Sequence, residues 1–462
     1  MINNNKKYDV REYNRSRYNQ KAAARKRLAT MQKIFMALLC ISVTLGLVLL
    51  GIVVGKKANK DKDDTVIENG ENNSEITVPE EITDLSNSSE TTETTPPYVV
   101  EEIMPANQLA DNYWGALVPC ENAVAYEHHE VHGMYIGAAF NLENNLAIAD
   151  NSEINALVID LKEGEGIFFN STNPTALEIG YVDPRYDLSY VVEQCHSHNV
   201  RVIGRIVCFK DPQLVEKYPD RAICDSTGTP LYFYNEGSSA FASPYDARNW
   251  EYFIELAEEA ISYGVDEIQF DYVRFPTGAS TSGNSPYYGI EGEVPTRADA
   301  INRFLQTARI RIQDGLGVPL GADIFGIAVT SSLDGDILGQ DWATVGLTQV
   351  DSLCPMIYPS HYALGTVMNG TEYPKPDLAP YEIMYNALII GSPNHTQPGY
   401  STVRPYVQAF TASYIGEGNY MTYDYNAINS QIRAIQDSGL TEFILWNAGG
   451  SYPSGNYGGN RG

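Results

Sequence analysis

From about Asn107 onward, apolar and polar residues follow one another in periods that predict alternating strands and helices. Eight apolar runs have the length and composition of buried strands. They are Gly133–Phe140, Ala156–Lys162, Arg201–Phe209, Glu267–Phe275, Pro319–Gly326, Ser352–Pro359, Arg404–Phe410 and Glu442–Ala448. Segments of helical period lie between most of these runs. Strands that alternate with helices predict a parallel sheet, because each helix carries the chain back to the start of the next strand.

Start and stop signals mark several of the intervening helices. They are Asp187 before Leu188–His198, Ser243 with Pro244 before a helix ending at Gly264, Thr296 with Asp299 before one stopping near Gly315, and Asp424 before one ending at Gly439. Eight such units predict an α/β fold of the (β/α)8 (TIM) barrel type, with a doubly wound open sheet as the alternative. No helix follows Ala448, so we expect the residues before Gly133 to cover that gap or the barrel floor.

The first 105 residues have a different pattern and predict three further segments. Residues 1–33 form a basic, polar tail. Residues 34–55 contain no charge and are long enough for a transmembrane helix. The basic tail in front of them predicts a cytoplasmic N-terminus and an extracellular C-terminal domain. Residues 56–105 form an acidic, disordered linker, which leaves residues 106–462 as the barrel domain.

Two other interpretations of the apolar segment fit it less well. A cleaved signal peptide would have a shorter apolar core and a small-x-small cleavage site, and none is clear here. A lipoprotein signal would need a small residue before the cysteine, whereas Leu39 precedes Cys40. The sequence therefore favours an uncleaved, single-pass anchor at residues 34–55.

The net charge of the chain is divided unevenly between a basic N-terminal part and an acidic remainder. Residues 1–62 carry 14 Lys and Arg against 3 Asp and Glu, whereas the remainder carries 17 against 55. A domain this acidic lacks the cationic contacts that nucleic-acid phosphates need, so we expect no nucleic-acid partner. The six cysteines show no CxxC or zinc spacing, and a disulfide among Cys120, Cys195 and Cys224 stays open.

The stretch Gly264–Pro276 supplies the main candidate for the catalytic centre. Its two-residue period places Ile268, Phe270 and Tyr272 on one face and Asp271 on the other. In a parallel barrel, Asp271 then points inward at the carboxyl end of its strand, where such barrels hold their active sites.

Polar and aromatic residues end the other strands as well. The predicted set comprises Asp160 and Lys162, Arg205, Tyr272 and Arg274 beside Asp271, Asp323, Tyr358 and His361, and Trp446 with Asn447. Two carboxylates flanked by aromatic rings are typical of glycoside hydrolysis, in which one carboxyl protonates the leaving oxygen and the other attacks the sugar or activates water. No metal cluster, P-loop, nucleophile elbow or dinucleotide motif occurs, so we predict no metal and no cofactor.

Three segments carry a resemblance to a known family. Val-Ile-Asp160-Leu-Lys162, Tyr181-Val-Asp-Pro-Arg and, above all, Phe270-Asp-Tyr-Val-Arg-Phe-Pro276 resemble a glycosyl hydrolase family long catalogued as a domain of unknown function. The resemblance covers roughly residues 130–450. It implies a TIM barrel distantly similar to the α-amylase clan, with Asp271 in the position of the nucleophile and Asp323 in that of the acid/base. In that clan the acid is a Glu, and an Arg stands where this chain has Gln269.

The sequence thus predicts a membrane-anchored extracellular glycosidase that acts on a polysaccharide or cell-wall glycan through Asp271 and Asp323. Asp160, Arg205, Tyr358 and His361 would bind sugar hydroxyls or tune the carboxylates, although Asp160 and Arg205 could equally form an internal ion pair. One alternative is substrate-assisted cleavage of an N-acetylated sugar, as in chitinase-type barrels. The fourth-strand motif of those barrels ends in Glu two residues after an Asp, and this chain has Val273 at that position. The other is a non-catalytic carbohydrate-binding barrel. The sugar and the oligomeric state are not specified.

Overall fold

The structure is a computed structural model that describes residues 101–458. Eight parallel strands close into a barrel in the order β1-β2-β3-β4-β5-β6-β7-β8, with β8 paired to β1. They are β1 His132–Gly137, β2 Ala156–Glu163, β3 Arg201–Val207, β4 Glu267–Asp271, β5 Leu320–Phe325, β6 Ser352–Met356, β7 Tyr406–Gln408 and β8 Phe443–Trp446. The predicted (β/α)8 barrel is confirmed, and the pairing of β1 with both β2 and β8 excludes the open sheet.

Seven of the eight strands are shorter than their apolar runs predicted, and β4 and β7 are shortened most. β4 stops at Asp271 because Tyr272 takes a left-handed backbone conformation with φ 51°, which no strand can continue through. β7 begins only at Tyr406, after a two-residue strand at Thr402–Val403. Pro405 lies between the two pieces and has no N–H for the sheet, so the ladder is interrupted there.

The helices lie outside the barrel. They are α1 Gln108–Trp114, α2 Leu142–Asp150, α3 Pro174–Ile179, α4 Leu188–Ser197, α5 Pro212–Lys217, α6 Ala247–Ser262, α7 Arg297–Ala308, α8 Gly326–Thr330, α9 Ser332–Leu338, α10 Pro380–His395 and α11 Tyr425–Asp437. The Thr296–Asp299 capping box forms as predicted, and Asp187 and Asp424 also cap their helices. The predicted cap at Ser243 is wrong, because Asp246 accepts the hydrogen bond at the start of α6.

The C-terminal segment occupies the outer face where an eighth helix would lie. Tyr452 donates its hydroxyl proton to backbone carbonyls of β1 and β8 near their carboxyl ends. Tyr457 is fully buried and packs against Tyr425 of α11, and Gly458 lies against Phe443 at the start of β8. The segment therefore descends along β8 and closes the gap that the sequence left open.

The residues before β1 cover the barrel floor, as expected. The Val124 N–H donates to the carbonyl of Asp314, and His128 lies between the carboxylates of Asp351 and Glu442 at 2.9 Å from each. Arg404 is fully buried above them, and its Nε donates to Glu442 at 2.7 Å. A guanidinium and several carboxylates thus hold together the amino ends of three strands.

This floor makes a pH-dependent contribution to stability. Hydrogen bonds to Asp351 and Glu442 raise the pKa of His128 to about 10. The folded protein therefore keeps this proton where the unfolded chain loses it. The stabilisation is complete below about pH 6.5, the ordinary pKa of histidine, and declines as pH rises through 10.

We expect His128→Gln to lower the melting temperature most at pH 6, because the glutamine has no charge to pair with the two carboxylates. The difference from the wild type should shrink steadily towards pH 10. Thermal unfolding of both proteins from pH 6 to 10 measures it. A difference that stays constant over that range would show that the charge on His128 does not matter.

The folded domain includes residues that the sequence assigned to the linker. The Gln349 side chain donates to the carbonyl of Glu101 at 2.9 Å, and Arg309 forms an ion pair with Glu102. The predicted tail and transmembrane segment, residues 1–55, lie outside the described residues. Within residues 101–458, none of the helices combines the length and the apolar character needed to cross a membrane. The five cysteines of this region are free thiols.

Candidate active site

Polar side chains from five consecutive strands meet at the carboxyl end of the barrel. Asp160 of β2, Arg205 of β3, Asp271 of β4, Asp323 of β5 and Tyr358 after β6 are all buried in this cluster. Each lies at or near the end of its strand, because parallel strands in a closed barrel finish on one side. We call these five residues the mouth cluster.

Arg205 is the central contact of the mouth cluster. Its Nε and Nη2 donate to Asp271 Oδ2 at 3.0 and 2.6 Å, and its Nη1 donates to Asp160 Oδ1 at 2.5 Å. Nη1 also donates to Glu163 Oε1 at 2.5 Å. The predicted internal ion pair of Asp160 and Arg205 therefore exists, and the same guanidinium also holds the candidate nucleophile.

A strained turn fixes the position of Asp271. Tyr272, directly after it, has positive φ, a conformation that costs a bulky residue about 1–3 kcal/mol and that clusters at functional sites. This turn lets the Tyr272 N–H donate to Asp271 Oδ1 at 2.5 Å. Both carboxylate oxygens are thus oriented by the local fold.

Asp323 has a different environment from Asp271. Asp323 is only 1% exposed, and its Oδ1 has no hydrogen-bond partner. Its Oδ2 lies 3.9 Å from Arg205 Nε. Burial, together with the negative charge of Asp271, raises the pKa of Asp323 well above its ordinary value. Two neighbouring carboxyl groups thus differ in their environment. Asp271 accepts hydrogen bonds from a cation, whereas Asp323 favours its protonated form.

Aromatic rings form the wall beside the two carboxyl groups. Tyr358 is buried, its hydroxyl has no hydrogen-bond partner, and its ring lies 5.4 Å from that of Trp446. Beyond it is an open depression of about 290 Å³. The depression is lined by His361, Phe410, Tyr414, Trp446, Asn447 and Ala448. The mouth therefore combines a polar cluster with an aromatic depression.

Two predicted site residues are not brought into this arrangement, and a third, Asn447, lines the depression but has its amide bound to the backbone. The pairing of β2 with β3 is irregular between Asp160 and Lys162, so Lys162 leaves the inward face. Its ammonium group binds Asp211 at 2.9 Å and lies over the ring of Phe253. Arg274 is held by both oxygens of Glu236. The Asn447 amide binds three backbone groups of the surrounding loops.

Tyr272 lies at the rim. Its ring faces the Lys210 ammonium at 5.0 Å and the Arg274 guanidinium at 4.8 Å. Burial and the charge of Asp271 raise the pKa of its hydroxyl to about 12, so this group keeps its proton at neutral pH and remains a hydrogen-bond donor.

The sequence analysis missed two members of the site. Tyr135 of β1 donates its hydroxyl proton to Asp160 Oδ2 at 2.6 Å, and Glu163 binds Arg205. The two-residue period of β1, applied as it was to β4, would have placed Tyr135 on the inward face. Glu163 lies one residue beyond the predicted end of β2 and gave no comparable signal.

The carboxyl groups of the mouth cluster suit acid/base and nucleophilic chemistry. Across residues 101–458, His, Cys, Asp and Glu side chains nowhere group in a way that could hold a metal ion. A carboxyl group that favours its protonated form, beside a hydrogen-bonded carboxylate, is the pair of groups that cleavage of a glycosidic bond uses.

Comparison with known proteins gives a family. Residues 131–452 match the profile of a protein family described as "Putative glycosyl hydrolase domain". None of the curated proteins matches the chain.

Several solved structures are similar to the chain. A hypothetical protein from Ruminiclostridium thermocellum is 34% identical over 41% of this chain and 96% of its own, with a TM-score of 0.35. The glycoside hydrolase domain of PgaB (BpsB) from Bordetella bronchiseptica is 12% identical over 70% and 94%, with a TM-score of 0.48. The spore cortex-lytic enzyme SleL from Bacillus megaterium is 11% identical over 75% and 79%, with a TM-score of 0.40.

Proposed function

Because the chain belongs to this family of glycosyl hydrolase domains and is a glycosidase by that membership, we propose that Asp271 and Asp323 together cleave the glycosidic bond of a polysaccharide. Asp271 acts as the nucleophile and Asp323 as the general acid and base. The observation that carries this assignment is the contrast between the two groups: a carboxylate that accepts hydrogen bonds from Arg205, beside a buried carboxyl whose pKa is raised and whose Oδ1 is unpartnered.

The spacing of the two groups supports a double displacement. Arg205 Nε lies 3.0 Å from Asp271 Oδ2 and 3.9 Å from Asp323 Oδ2, so these oxygens are separated by no more than the sum of the two distances. That limit lies below most of the roughly 6.5–9.5 Å range of inverting enzymes and includes the roughly 5–5.5 Å of retaining ones. The limit is therefore compatible with retention and with only the lower end of the inverting range.

The reaction then proceeds in two steps. Asp323 gives its proton to the glycosidic oxygen as an oxygen of Asp271 attacks the anomeric carbon, which releases the leaving sugar and forms a glycosyl ester on Asp271. Asp323, now a carboxylate, takes a proton from water, and the resulting hydroxide group attacks the same carbon. This step restores Asp271 and returns the proton to Asp323, so each cycle consumes one water molecule.

The aromatic depression is the place for a sugar unit next to the cleaved bond. The rings of Trp446 and Phe410 lie 5.3 Å apart there, at a steep angle, and Tyr358, which is near Asp323, packs against both. Pyranose rings have apolar faces that pack on such rings, and burial of those faces contributes binding energy.

We expect Trp446→Ala to lower kcat/KM on a polymeric substrate roughly 30-fold. This corresponds to a loss of about 2 kcal/mol of transition-state binding, as removal of a central binding tryptophan typically causes. Trp446→Phe, which keeps a ring beside Tyr358, should lose less. Tyr190→Ala is the matched control, since Tyr190 is an exposed aromatic residue on α4. Equal activity of Trp446→Ala and Tyr190→Ala would show that the depression does not bind sugar.

The proposed place of action follows from the N-terminal segments. Residues 34–55 are uncharged and follow a basic tail, and an acidic stretch separates them from the barrel. Such a chain is anchored by one transmembrane helix, with its barrel on the outer side of the membrane. The substrate that meets a barrel tethered there is a cell-wall or extracellular glycan.

The experiment that tests the proposal is release of reducing ends by residues 101–462. The panel contains peptidoglycan, chitin, chitosan, cellulose, β-1,3-glucan and starch, and Asp271→Asn is assayed alongside. We expect release from at least one wall glycan and none by the variant. Release that persists in Asp271→Asn overturns the assignment of the nucleophile. Saturable binding without release, unchanged in the variant, would favour the non-catalytic carbohydrate-binding barrel.

A further inference from the structure

The hydrogen bonds around Asp271 are unequal between its two oxygens. Oδ2 accepts from both Nε and Nη2 of Arg205, whereas Oδ1 accepts only from the Tyr272 N–H. A carboxylate oxygen has two lone-pair positions. Both positions of Oδ2 are therefore occupied, and one position of Oδ1 is left.

This arrangement is not the one that an unrestrained arginine prefers. Guanidinium and carboxylate groups commonly pair side by side, with two parallel N–H···O bonds to two different oxygens. Here both donors fall on Oδ2. In the side-by-side arrangement, Arg205 would take the remaining lone pair of Asp271 Oδ1.

Asp160 holds the guanidinium in the observed orientation. It accepts from Nη1 at 2.5 Å on the side away from Asp271. Asp160 is itself fixed, because the Tyr135 hydroxyl donates to its other oxygen at 2.6 Å and both residues are buried. Glu163 accepts from the same Nη1, but its side chain is 30% exposed and has no comparable anchor in the barrel wall.

We propose that Asp160, anchored by Tyr135, is a positioning residue that holds Arg205 on Asp271 Oδ2 and thereby keeps Asp271 Oδ1 open as the attacking oxygen. The inference rests on the proposed role of Asp271 as nucleophile. It assigns a function to a buried carboxylate that charge balance alone does not require, since Asp271 and Glu163 already neutralise Arg205.

The two substitutions of Asp160 separate orientation from charge. Asp160→Ala removes the acceptor for Nη1, and Asp160→Asn keeps a carbonyl acceptor in the same place. Tyr135→Phe removes the anchor alone. Glu267→Ala is the matched control: it removes a buried carboxylate from Arg404 at the opposite end of the barrel, away from the mouth cluster.

We expect the crystal structure of Asp160→Ala to show Arg205 contacting both oxygens of Asp271. On the glycan that the panel identifies, kcat of this variant should fall about 100-fold, the loss that a displacement of about 1 Å produces, with KM little changed. Asp160→Asn should restore most of kcat, and Tyr135→Phe should lie between the two. Glu267→Ala should lower the melting temperature without changing kcat.

The inference is overturned if Arg205 keeps its two bonds to Oδ2 alone in Asp160→Ala, a result that needs no substrate. It is also overturned if kcat of that variant is unchanged, or falls only as far as in Glu267→Ala. The proposed function fails separately, through glycan release that survives Asp271→Asn.

Discussion

Asp271→Asn should abolish glycan cleavage while leaving the barrel folded. An amide oxygen is too weak a nucleophile to form the glycosyl ester, and removal of a nucleophile typically costs roughly 10⁴-fold or more in kcat. The fold should survive because Arg205 keeps the carboxylates of Asp160 and Glu163, so no buried charge is left unpaired. Initial rates of reducing-end release, with circular dichroism of the same preparation, measure both quantities.

A smaller variant at this position tests the role more strictly. Asp271→Ala leaves space beside the anomeric carbon, and added azide should restore turnover through a glycosyl azide of inverted configuration. Mass spectrometry and NMR of the product identify it. Rescue would establish a nucleophile at this position. Near-normal turnover by Asp271→Asn would instead exclude Asp271 from the chemistry.

Asp323→Asn should show the second large loss, and its size should depend on the leaving group. Without an acid, a sugar leaving group departs unprotonated, and we expect kcat to fall about 10²- to 10⁴-fold. A glycoside with a dinitrophenol leaving group needs no protonation, so its first step should be largely preserved. Similar losses on both substrates would remove Asp323 from the role of acid.

The raised pKa of Asp323 also fixes the sign of two pH effects. In the folded enzyme the carboxyl group is protonated up to its raised pKa, so activity should fall on the alkaline side as that proton is lost, and Asp323→Asn should lack this limb. The unfolded chain loses the same proton near the ordinary pKa of aspartate. Above that value the wild type is therefore destabilised by Asp323.

It follows that Asp323→Asn should raise the melting temperature at pH 7 and leave it nearly unchanged near pH 3.5. A stabilised but inactive variant is the expected result for a group buried for catalysis rather than for packing. Destabilisation at pH 7 would mean that the carboxyl group is held by contacts that the amide cannot make.

Arg205 supplies a contact that the motif around Asp271 does not contain. The resemblance to the α-amylase clan implies an arginine at the position of Gln269, whose side chain instead contacts Tyr406 and Cys354 inside the barrel. The guanidinium that contacts Asp271 comes instead from the neighbouring strand β3. The contact is thus present although the local motif lacks it, because adjacent strands of a parallel barrel bring side chains of the same height together.

The sequence by itself determined the barrel and the strand ends that carry its site. Each of the eight apolar runs overlaps one of the eight strands, and the predicted strand ends include Asp160, Arg205, Asp271 and Asp323, which the barrel brings together. This was possible because strand periodicity is a local property of the backbone, and closure of a parallel barrel then brings every strand end to one side.

Only the tertiary structure decided which of those side chains act together. An irregular pairing after Asp160 turns Lys162 outward, and Glu236, from a loop more than thirty residues earlier, binds Arg274. The hydrogen bonds from Tyr135 to Asp160 and from Arg205 to Asp271 likewise join separate strands. Register shifts and long-range ion pairs depend on contacts between distant segments, and a local pattern of residues does not contain them.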